Sequence, residues 1–574
     1  MKGGDTVQET RNETQMVNGS KLMVEALTDE KVEMLFGYPG GTILPEYDEM
    51  YQAEFKNILV RHEQGATHAA EGYAKSTGKT GVVLVTSGPG ATNAVTGVAD
   101  AMRDSVPLVV FTGQVGTGLI GTDAFQEADV LSIYKSISKK AIQIRSATDV
   151  ANVVHQAFEI AQSGRKGPVV VDLPKNVMSE EVTRAEVKQW ELESNFSTEL
   201  KSDSKKKLKA MMKDLRAAKQ PVLLVGGGAI AANASQEFRQ FAEKHQIPVI
   251  SSLLGLGVVH SENPQFMGMA GMHGSFAANK ALHNSDFLIN IGCRFEDRLA
   301  TNPKKFAPKA KISHIDIDPN EIGKIIRTDY GVVADAKAAL TAMLEEPSTA
   351  DNHQDWVNET TKRKQDHDYR YHKQSGELKP QQVIEAVGKF TEGKAFVATD
   401  VGQHQMWAAQ FYPFTFAGQL VTSGGLGTMG FGIPSAIGTQ FAHPDDQVVL
   451  FTGDGSFQMT SEELDVIKSY GLNIKIVLLN NGVLGMVRQW QDLFYDERRS
   501  QTVFKDQPDF QKLAAAYGIN SYKIIGQDAD WQTILQQALD APGSALIEVA
   551  IPKWEEVQPM IAPGQTNDNM IEFD

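Results

Sequence analysis

Short runs of aliphatic and β-branched residues alternate with amphipathic stretches from about Lys21 onward. In the first third of the chain, the helical pattern QGATHAAEGYAKSTG is followed by the apolar run GVVLVTS, a second helical pattern and the apolar run PLVVFTG. Short apolar runs separated by helices are typical of strands that are buried on both faces of a parallel sheet. The pattern therefore predicts α/β domains with doubly wound parallel sheets.

Two polar stretches divide this alternation into three blocks. The first contains the lysine-rich run KSDSKKKLK, which is typical of a connector followed by an exposed helix start. The second has almost no aliphatic side chains, as expected of a connector. We therefore predict three α/β domains with a segment at each end. The predicted ranges are a disordered lead-in at 1–16, a first domain at 17–182, a linker at 183–209, a second domain at 210–345, a linker at 346–378, a third domain at 379–552 and a tail at 553–574.

Composition narrows the class of function. The net charge of −16 argues against a general nucleic-acid binder, because no excess of cations is available to displace phosphate counterions. The single cysteine, Cys293, excludes an intrachain disulfide and a cysteine metal cluster. We see neither a signal-peptide pattern nor an apolar run near the roughly 18 to 20 residues that cross a bilayer. We therefore expect a cytoplasmic protein that acts on small molecules, without nucleic-acid or membrane partners.

The run VVLFTGDGSFQM places Asp454 between Gly453 and Gly455 at the end of a predicted strand, and the next predicted strand ends in Asn480 and Asn481. In one βαβ unit both strands are parallel, so Asp454 and Asn481 should leave the sheet at its ligand-binding edge. Carboxylate and amide oxygens suit Mg²⁺ or Ca²⁺, and glycine N–H groups suit phosphate. GDG alone would more often be a simple turn, but the second motif favours a metal and diphosphate site.

A GDG motif followed by NN after one βαβ unit resembles the signature of the thiamine-diphosphate (ThDP) enzymes. The resemblance implies that Asp454, Asn481 and the backbone carbonyl of Val483 bind Mg²⁺. It also implies that Glu63 hydrogen-bonds the aminopyrimidine ring and favours the tautomer that removes the thiazolium proton, as a carboxylate in a water-poor site can. Considered alone, Glu63 would be a solvated residue at a helix start.

Further ThDP contacts follow from the same resemblance. Met429 would be the apolar prop under the bent cofactor, although methionine fills gaps in any core. The positions implied for ThDP are Gly37, Pro89, Asn93, Gln403, His404, Met406, Gly427, Met429, Gly453, Gly455, Ser456 and Met486.

The middle block carries LLGLG, GMHGS, GCRFEDR and HIDID in that order. With LFGYPGG and QPMIAPG near the two ends, these motifs resemble the FAD-containing biosynthetic acetolactate synthases over nearly the whole chain. The resemblance implies a pyrimidine-binding domain, a central Rossmann-like FAD-binding domain and a diphosphate-binding domain. Arginines can meet the pyrophosphate and strand-end carboxylates the ribose, whereas RFEDR alone would suggest a surface network. The positions implied for FAD are Arg165, Gly227, Leu253, Gly271, His273, Gly274, Arg294, Asp297, Asp316 and Asp335.

The substrate channel is implied at Phe125, Gln126, Lys175 and Trp490, with Trp490 where the family selects the second 2-oxoacid. Considered alone, the tryptophan would belong to a core or an interface and the lysine to the surface. The implied reaction decarboxylates pyruvate and joins the product to pyruvate or 2-oxobutyrate, giving 2-acetolactate or 2-aceto-2-hydroxybutyrate, the first common step of branched-chain amino-acid biosynthesis. FAD would have no net redox role. The family implies a homodimer or homotetramer and leaves open a small regulatory subunit.

Three other functions stay open at this point. An FAD-dependent pyruvate oxidase shares the three-domain plan, a fermentative acetolactate synthase would lack FAD, and an inactive scaffold would not need the acidic residues. Cys293 and Glu296 are mild departures from the commoner family pattern. In the tail, Gln565 follows PG where a Gly or Ser is commoner, and this bears only on the fine closure of the site over the channel. The acceptor preference, feedback inhibition and the need for FAD are not determined by these patterns.

Overall fold

The structure is a computed structural model that describes residues 13–189, 198–371, 376–526 and 530–572. Within these ranges the chain forms three six-stranded parallel sheets and a two-stranded antiparallel ribbon. The chain divides into two compact units, Met1–Ala74 with Lys79–Asn195, and Lys75–Gly78 with Phe196–Asp574. The first unit contains one large sheet and the second contains two, which confirms the predicted fold class.

The first unit contains eight strands and eight α-helices among its described residues. Its six-stranded sheet has the order β3-β2-β4-β5-β7-β6, and β1 pairs with β8. The strands are β1 (Met16–Asn18), β2 (Met34–Tyr38), β3 (Lys56–Leu59), β4 (Gly81–Val85), β5 (Leu108–Gln114), β6 (Lys140–Gln143), β7 (Val169–Pro174) and β8 (Glu181–Thr183). The helices are α1 (Gly19–Asp29), α2 (Leu44–Met50), α3 (Glu63–Thr77), α4 (Pro89–Asn93), α5 (Val95–Asp104), α6 (Val130–Tyr134), α7 (Val150–Gln162) and α8 (Lys175–Met178).

The central sheet of the second unit has the order β11-β10-β9-β12-β13-β14. Its strands are β9 (Pro221–Val225), β10 (Val249–Ser251), β11 (Phe266–Met269), β12 (Phe287–Ile291), β13 (Lys311–Asp316) and β14 (Tyr330–Val333). The accompanying helices are α9 (Ser202–Leu215), α10 (Gly227–Ala231), α11 (Ser235–His245), α12 (Phe276–Asn284), α13 (Ala336–Leu344) and α14 (Gln354–Asp366).

The third sheet has the order β16-β15-β17-β18-β20-β19. Its strands are β15 (Phe396–Thr399), β16 (Leu420–Val421), β17 (Val448–Gly453), β18 (Ile474–Asn480), β19 (Asn520–Ile525) and β20 (Ala545–Ala550). The accompanying helices are α15 (Pro380–Phe390), α16 (Gln403–Phe411), α17 (Gly432–Ala442), α18 (Asp454–Phe457), α19 (Leu464–Ser469), α20 (Gly485–Phe494), α21 (Phe510–Ala516) and α22 (Trp531–Asp540).

Strand β9 shows why the apolar runs are continuous rather than alternating. Leu223 and Val225 pack into one buried cluster, while Val222 and Leu224 pack into another. Because successive side chains of a strand point to opposite faces, the central sheet buries both of its faces. An apolar side chain is therefore favoured on either face, and β9 is apolar throughout.

The two segments predicted as linkers contain helices. Helix α9 begins inside the first of them, and its Leu208, Met211 and Leu215 are buried in the core of the second unit. Helix α14 lies inside the second, where it buries Trp356 and Val357. In α9 these apolar residues are spaced three or four apart and form one buried face, although the lysine-rich stretch predicts only an exposed helix start. In α14 the buried apolar residues are the adjacent Trp356 and Val357, with Thr360 beside them, and the polar composition around them matches a linker. Residues 190–197 and 372–375 of the predicted linkers, and most of the predicted lead-in, lie outside the described residues.

The tail packs against the central domain through backbone and side-chain contacts. The Ile561 N–H donates to the Met272 carbonyl at 2.8 Å, and the Asn567 amide donates to the Leu299 carbonyl at 3.1 Å. Lys280 Nζ donates to the Asp568 carbonyl at 2.9 Å.

Among the described helices, none combines the length and the apolar composition needed to span a membrane.

Candidate active site

The GDG turn and the second asparagine lie side by side at the carboxyl edge of the third sheet. β17 and β18 pair in parallel with Gly453 opposite Leu479, so Asp454 and Asn481 leave neighbouring strands at the same edge. This is the adjacency that one βαβ unit predicts. The Asn481 side-chain oxygen accepts a hydrogen bond from the Val483 N–H at 3.2 Å, which closes a turn between two of the predicted metal ligands.

Asp454 is a buried carboxylate held by donors from two other segments. Its Oδ2 accepts hydrogen bonds from the Gly482 N–H at 3.1 Å and from the Gln507 side-chain amide. Burial raises the pKa of Asp454 to about 6, and these hydrogen bonds oppose the rise. A divalent cation would favour the ionised carboxylate, because a nearby opposite charge lowers the pKa of an acid.

Most of the third-domain residues predicted to bind ThDP or metal surround one cleft. Its lining includes Gln403, His404, Met429, Gly453, Asp454, Gly455, Ser456, Asn481, Val483 and Met486. Gly427 lies in the exposed turn just before Met429, with its N–H bonded to Ser423 Oγ at 3.0 Å. Met406 packs against the apolar core of the second unit.

Gln403 and His404 begin α16 at the carboxyl end of β15. Gln403 Nε2 donates to Gln489 Oε1 and to the Glu555 carbonyl, both at 2.9 Å. Gln403 Oε1 and His404 Nε2 are buried and have no hydrogen-bond partner in the described part of the chain. Burial lowers the pKa of His404 to about 3, so its imidazole is neutral at pH 7. These two polar atoms are therefore available to a polar ligand.

Glu63 lies in the first unit, at the first position of α3. Asn93, at the end of α4, donates from Nδ2 to Glu63 Oε2 at 2.9 Å. Gly90 lies close enough that a Cβ there would be 3.5 Å from Glu63 Oε1. Pro89 occupies the first turn of the same short helix. The motif TSGPGATN thus surrounds one side of the predicted catalytic carboxylate.

The other predicted residues of the first unit have different surroundings. Gln126 has a φ of 60°, and its backbone lies so close to Gly88 that a Cβ there would be 2.9 Å from Gln126 Cα. The neighbouring Phe125 is 88% exposed. Lys175 Nζ donates to the Gly41 carbonyl at 2.9 Å. Gly37 is buried in β2, where a Cβ would lie 2.4 Å from the Leu84 carbonyl oxygen, so close strand packing by itself requires glycine.

In the second unit, Trp490 lies on α20 and its ring contacts Phe494 edge to face at a centroid distance of 5.6 Å. The Arg298 guanidinium lies 5.7 Å from the same ring. Trp490 is therefore in contact with the end of the RFEDR motif, although the two are far apart in the chain.

Several of the residues predicted to bind FAD follow the carboxyl ends of the central strands. Asp316 ends β13, and a further residue lies two or three positions after each of β9, β10, β12 and β14, namely Gly227, Leu253, Arg294 and Asp335. Asp335 also caps α13, accepting from the Ala338 N–H at 3.0 Å. A parallel sheet brings all of these positions to one edge.

The GMHG segment follows β11. A Cβ at Gly271 would lie 2.4 Å from the Arg298 carbonyl oxygen, and one at Gly274 would lie 2.4 Å from the Met269 carbonyl oxygen. His273 is buried between these glycines, and its carbonyl accepts from Gln410 at 3.0 Å. Burial lowers the pKa of His273 to about 4.

Two of the predicted FAD residues lie away from the strand ends. Asp297 is exposed and forms an ion pair with Arg298 at 2.7 Å. Arg165 lies in the first unit, where its Nε donates to Ser105 Oγ at 2.9 Å.

Three segments match the domains of thiamine pyrophosphate enzymes. Residues 17–133 match the N-terminal TPP binding domain, 208–343 the central domain and 400–549 the C-terminal TPP binding domain. The acetolactate synthase large subunit of Lactococcus lactis is 50% identical over 557 residues, which cover 96% of each chain. The chain belongs to the acetolactate synthase large-subunit family. Within that family, the large subunit of Haemophilus influenzae is 44% identical over 97% of this chain and 98% of its own length. The isozyme 3 large subunit of Escherichia coli is 42% identical over 97% of this chain and 98% of its own length.

Family membership confirms the resemblance predicted from the motifs, and the cleft fits a magnesium-bound diphosphate. The donor set of carboxylate, amide oxygen and backbone carbonyl is of the kind that Mg²⁺ prefers. A Cβ at Gly453 would lie 2.8 Å from His404 Nδ1, and one at Gly455 would lie 2.6 Å from Leu484 Cδ2. Only glycines leave this cradle open next to the buried, unpartnered atoms of Gln403 and His404.

The edge of the central sheet also fits FAD in the chemistry of its donors. Arg294 is half-buried there, and the strand-end carboxylate of Asp316 lies on the same edge. The buried Nδ1 of His273 has no partner within the described ranges. A cation and a strand-end carboxylate at the edge of a parallel sheet are the groups that a dinucleotide requires.

Three residues of the site were missed by sequence reasoning. Gln507 donates to Asp454, Gln489 accepts from Gln403, and Asp400 accepts from two backbone N–H groups of the turn around Met429. Gln489 belongs to the motif GMVRQWQ, so its place beside Trp490 was a usable signal. Gln507 lies in a polar stretch whose local pattern carries none.

Proposed function

We propose that this chain is the catalytic subunit of an acetolactate synthase that decarboxylates pyruvate and joins the two-carbon product to pyruvate or 2-oxobutyrate. The observation that carries the proposal is the convergence of Asp454, Asn481, Gln403 and His404 on one cleft, in a chain that is 50% identical to an acetolactate synthase over nearly its whole length. The product would be 2-acetolactate or 2-aceto-2-hydroxybutyrate, which places the enzyme in branched-chain amino-acid biosynthesis.

We propose ThDP, Mg²⁺ and FAD as cofactors. When bound, ThDP supplies a nucleophilic carbon and then an electron sink for decarboxylation. Asp454, Asn481 and the Val483 carbonyl would hold the Mg²⁺, and backbone N–H groups around Gly453 and Gly455 would donate hydrogen bonds to the diphosphate. FAD would bind at the central edge near Arg294 and Asp316 without a net redox role.

The acidic residue of the first unit has a separate task in this proposal. Glu63, held by the Asn93 amide at 2.9 Å, would hydrogen-bond the aminopyrimidine ring and hold the proton that the ring exchanges with the thiazolium carbon. Because a carboxylate works in this way only where water is largely excluded, the site needs a second protein surface over it. In the family, the two domains come from different subunits, so we propose a homodimer as the smallest active unit.

Substrate selection and regulation follow from the family resemblance. Trp490, with Phe494 and Arg298 against its ring, would limit the size of the second 2-oxoacid. Phe125, Gln126 and Lys175 would border the channel from the first unit. The relatives are named as large subunits, which supports a small regulatory subunit as a partner of this chain.

The experiment is to incubate the purified protein with ThDP, Mg²⁺ and pyruvate, with and without FAD, and to measure acetolactate, acetaldehyde and hydrogen peroxide. Acetolactate as the main product, lost in Asp454→Asn and kept in the exposed control Asp446→Asn, is the expected result. Peroxide formed with oxygen consumption would favour a pyruvate oxidase instead. Full activity of a colourless, FAD-free protein would refute the FAD proposal alone, and the absence of acetolactate under every condition would refute the function.

A further inference from the structure

Asp400 is a fully buried carboxylate between two turns of the cleft. It follows β15 and precedes α16, and its side chain is 0% exposed. Its Oδ1 accepts from the Val401 N–H and from the Gly430 N–H, both at 2.8 Å. Its Oδ2 accepts from the Gly432 N–H at 3.1 Å. One carboxylate therefore joins the turn before Gln403 to the turn that contains Met429.

A third segment is joined to the same two turns. Ser456 Oγ donates to the Val401 carbonyl at 3.1 Å, and Thr460 Oγ1 donates to the Gly430 carbonyl at 2.9 Å. Both hydroxyls belong to the segment that begins with the GDG motif. The predicted diphosphate contacts, the predicted apolar prop and the metal-ligand segment are thus held together around Asp400.

The surroundings require a carboxylate rather than any polar residue. Two turns approach from different sides, and each needs an acceptor, whereas an asparagine would offer one oxygen and turn an N–H₂ toward an N–H. A Cβ at Gly432 would lie 2.8 Å from Asp400 Oδ2, so the second turn approaches this closely only with glycine. Burying the charge is costly, as the rise in the pKa of Asp400 to about 6 shows. The backbone donors offset part of that cost.

We propose that Asp400 is a positioning residue for ThDP, which fixes the turn of Met429 relative to the diphosphate contacts at Gln403 and His404. Asp400 is not among the residues that line the cleft. It acts by holding Met429 where the thiazolium must rest, so it governs the reactivity of bound ThDP more than the affinity. This inference rests on the proposed ThDP function and adds a residue to it.

The test compares Asp400→Asn with Asp286→Asn. Asp286 also accepts two backbone N–H bonds, from Lys219 at 2.7 Å and Gln220 at 2.9 Å. It directly precedes β12 and so lies at the amino edge of the central sheet, away from the carboxyl edges where the cofactors are proposed to bind. Two quantities that need no turnover are measured in each protein. They are the dissociation constant of ThDP with Mg²⁺, by calorimetry, and the rate of hydrogen–deuterium exchange at the thiazolium carbon of bound ThDP, by quenched-flow NMR.

We expect the exchange rate to fall at least tenfold in Asp400→Asn at saturating ThDP, while the dissociation constant changes less than threefold. Asp286→Asn should lower the melting temperature and leave both quantities unchanged. If Asp400→Asn does not fold, Gly432→Ala perturbs the same contact from the other turn and should slow the exchange in the same way. The positioning role also predicts that Asp400→Asn adds less than threefold in a Met429→Ala background, because both changes remove the same support.

Three outcomes would overturn the inference. These are unchanged exchange in both Asp400→Asn and Gly432→Ala, equal effects in Asp400→Asn and Asp286→Asn, or a full tenfold effect of Asp400→Asn on top of Met429→Ala. A wild-type protein that does not bind ThDP would instead refute the proposed function, so the two failures are distinguishable.

Discussion

The hydrogen bond from Asn93 to Glu63 offers a direct test of the acid's role. Asn93→Ala removes the amide that donates to Glu63 Oε2 at 2.9 Å and leaves the carboxylate free to rotate. A hydrogen bond to a charged group contributes about 1.5–3 kcal/mol. Since both side chains are only half-buried, we take the lower value of about 1.5 kcal/mol, which corresponds to a loss of about tenfold in kcat.

The assay is the initial rate of acetolactate formation at saturating ThDP, Mg²⁺ and pyruvate, with the dissociation constant of ThDP measured alongside. Thr92→Ala is the matched control, because Thr92 is exposed on the same short helix and its Oγ1 bonds to the Pro89 carbonyl rather than to Glu63. Asn93→Asp should lose more than Asn93→Ala, since it faces one carboxylate with another. Full kcat in Asn93→Ala, or an equal loss in Thr92→Ala, would refute the reasoning.

Three further predictions concern the second unit. Gly485→Ala would place a Cβ 2.0 Å from Gln403 Oε1 and displace this side chain, whose amide donates two hydrogen bonds. We expect ThDP to bind about tenfold more weakly, as measured by calorimetry. Unchanged affinity would show that Gln403 does not contact the cofactor. Phe451→Ala in the buried β17 should cost about 3–5 kcal/mol in urea unfolding, against less than about 0.5 kcal/mol for the exposed Tyr51→Ala. Burial lowers the pKa of His245 to about 4, so this imidazole takes up a proton more readily in the unfolded chain than in the folded protein. The folded protein therefore loses stability as the pH falls from about 6.5 toward 4. The stability lost between pH 7 and 5 should be about 2 kcal/mol smaller in His245→Asn, and equal losses in both proteins would contradict this.

The fold was predictable because its causes are local in the sequence. Strands buried on both faces favour apolar residues, as in β9 with Leu223 and Val225 on one face and Val222 and Leu224 on the other. Such runs are visible without knowing what they pack against. Helix α14 was missed for the opposite reason, because it buries only a narrow apolar face and the charged residues around it match a linker in composition. For α9 the lysine-rich stretch predicts only an exposed helix start, whereas its Leu208, Met211 and Leu215 are buried.

The positions of the candidate site along the sheet edges were predictable from the direction of the strands. Parallel strands bring the residues after their carboxyl ends to one edge, so Asp454 and Asn481 could be placed together from two short motifs. The same rule places Gly227, Arg294 and Asp316 along the central sheet. Strand direction does not indicate which of the residues at an edge are free to bind a ligand. Asp335, for example, already accepts a hydrogen bond as the cap of α13.

By itself the sequence determined the three α/β domains, the family and the motifs that carry the chemistry, because periodicity and short spacings are properties of neighbouring residues. Only the tertiary structure decided what holds those motifs in place. Asp400 bonds to Gly430 and Gly432 across about thirty residues, and Gln507 reaches Asp454 across 53. Such partners have no fixed spacing, since a hydrogen bond between turns depends on where the folded sheet brings each turn rather than on any local pattern.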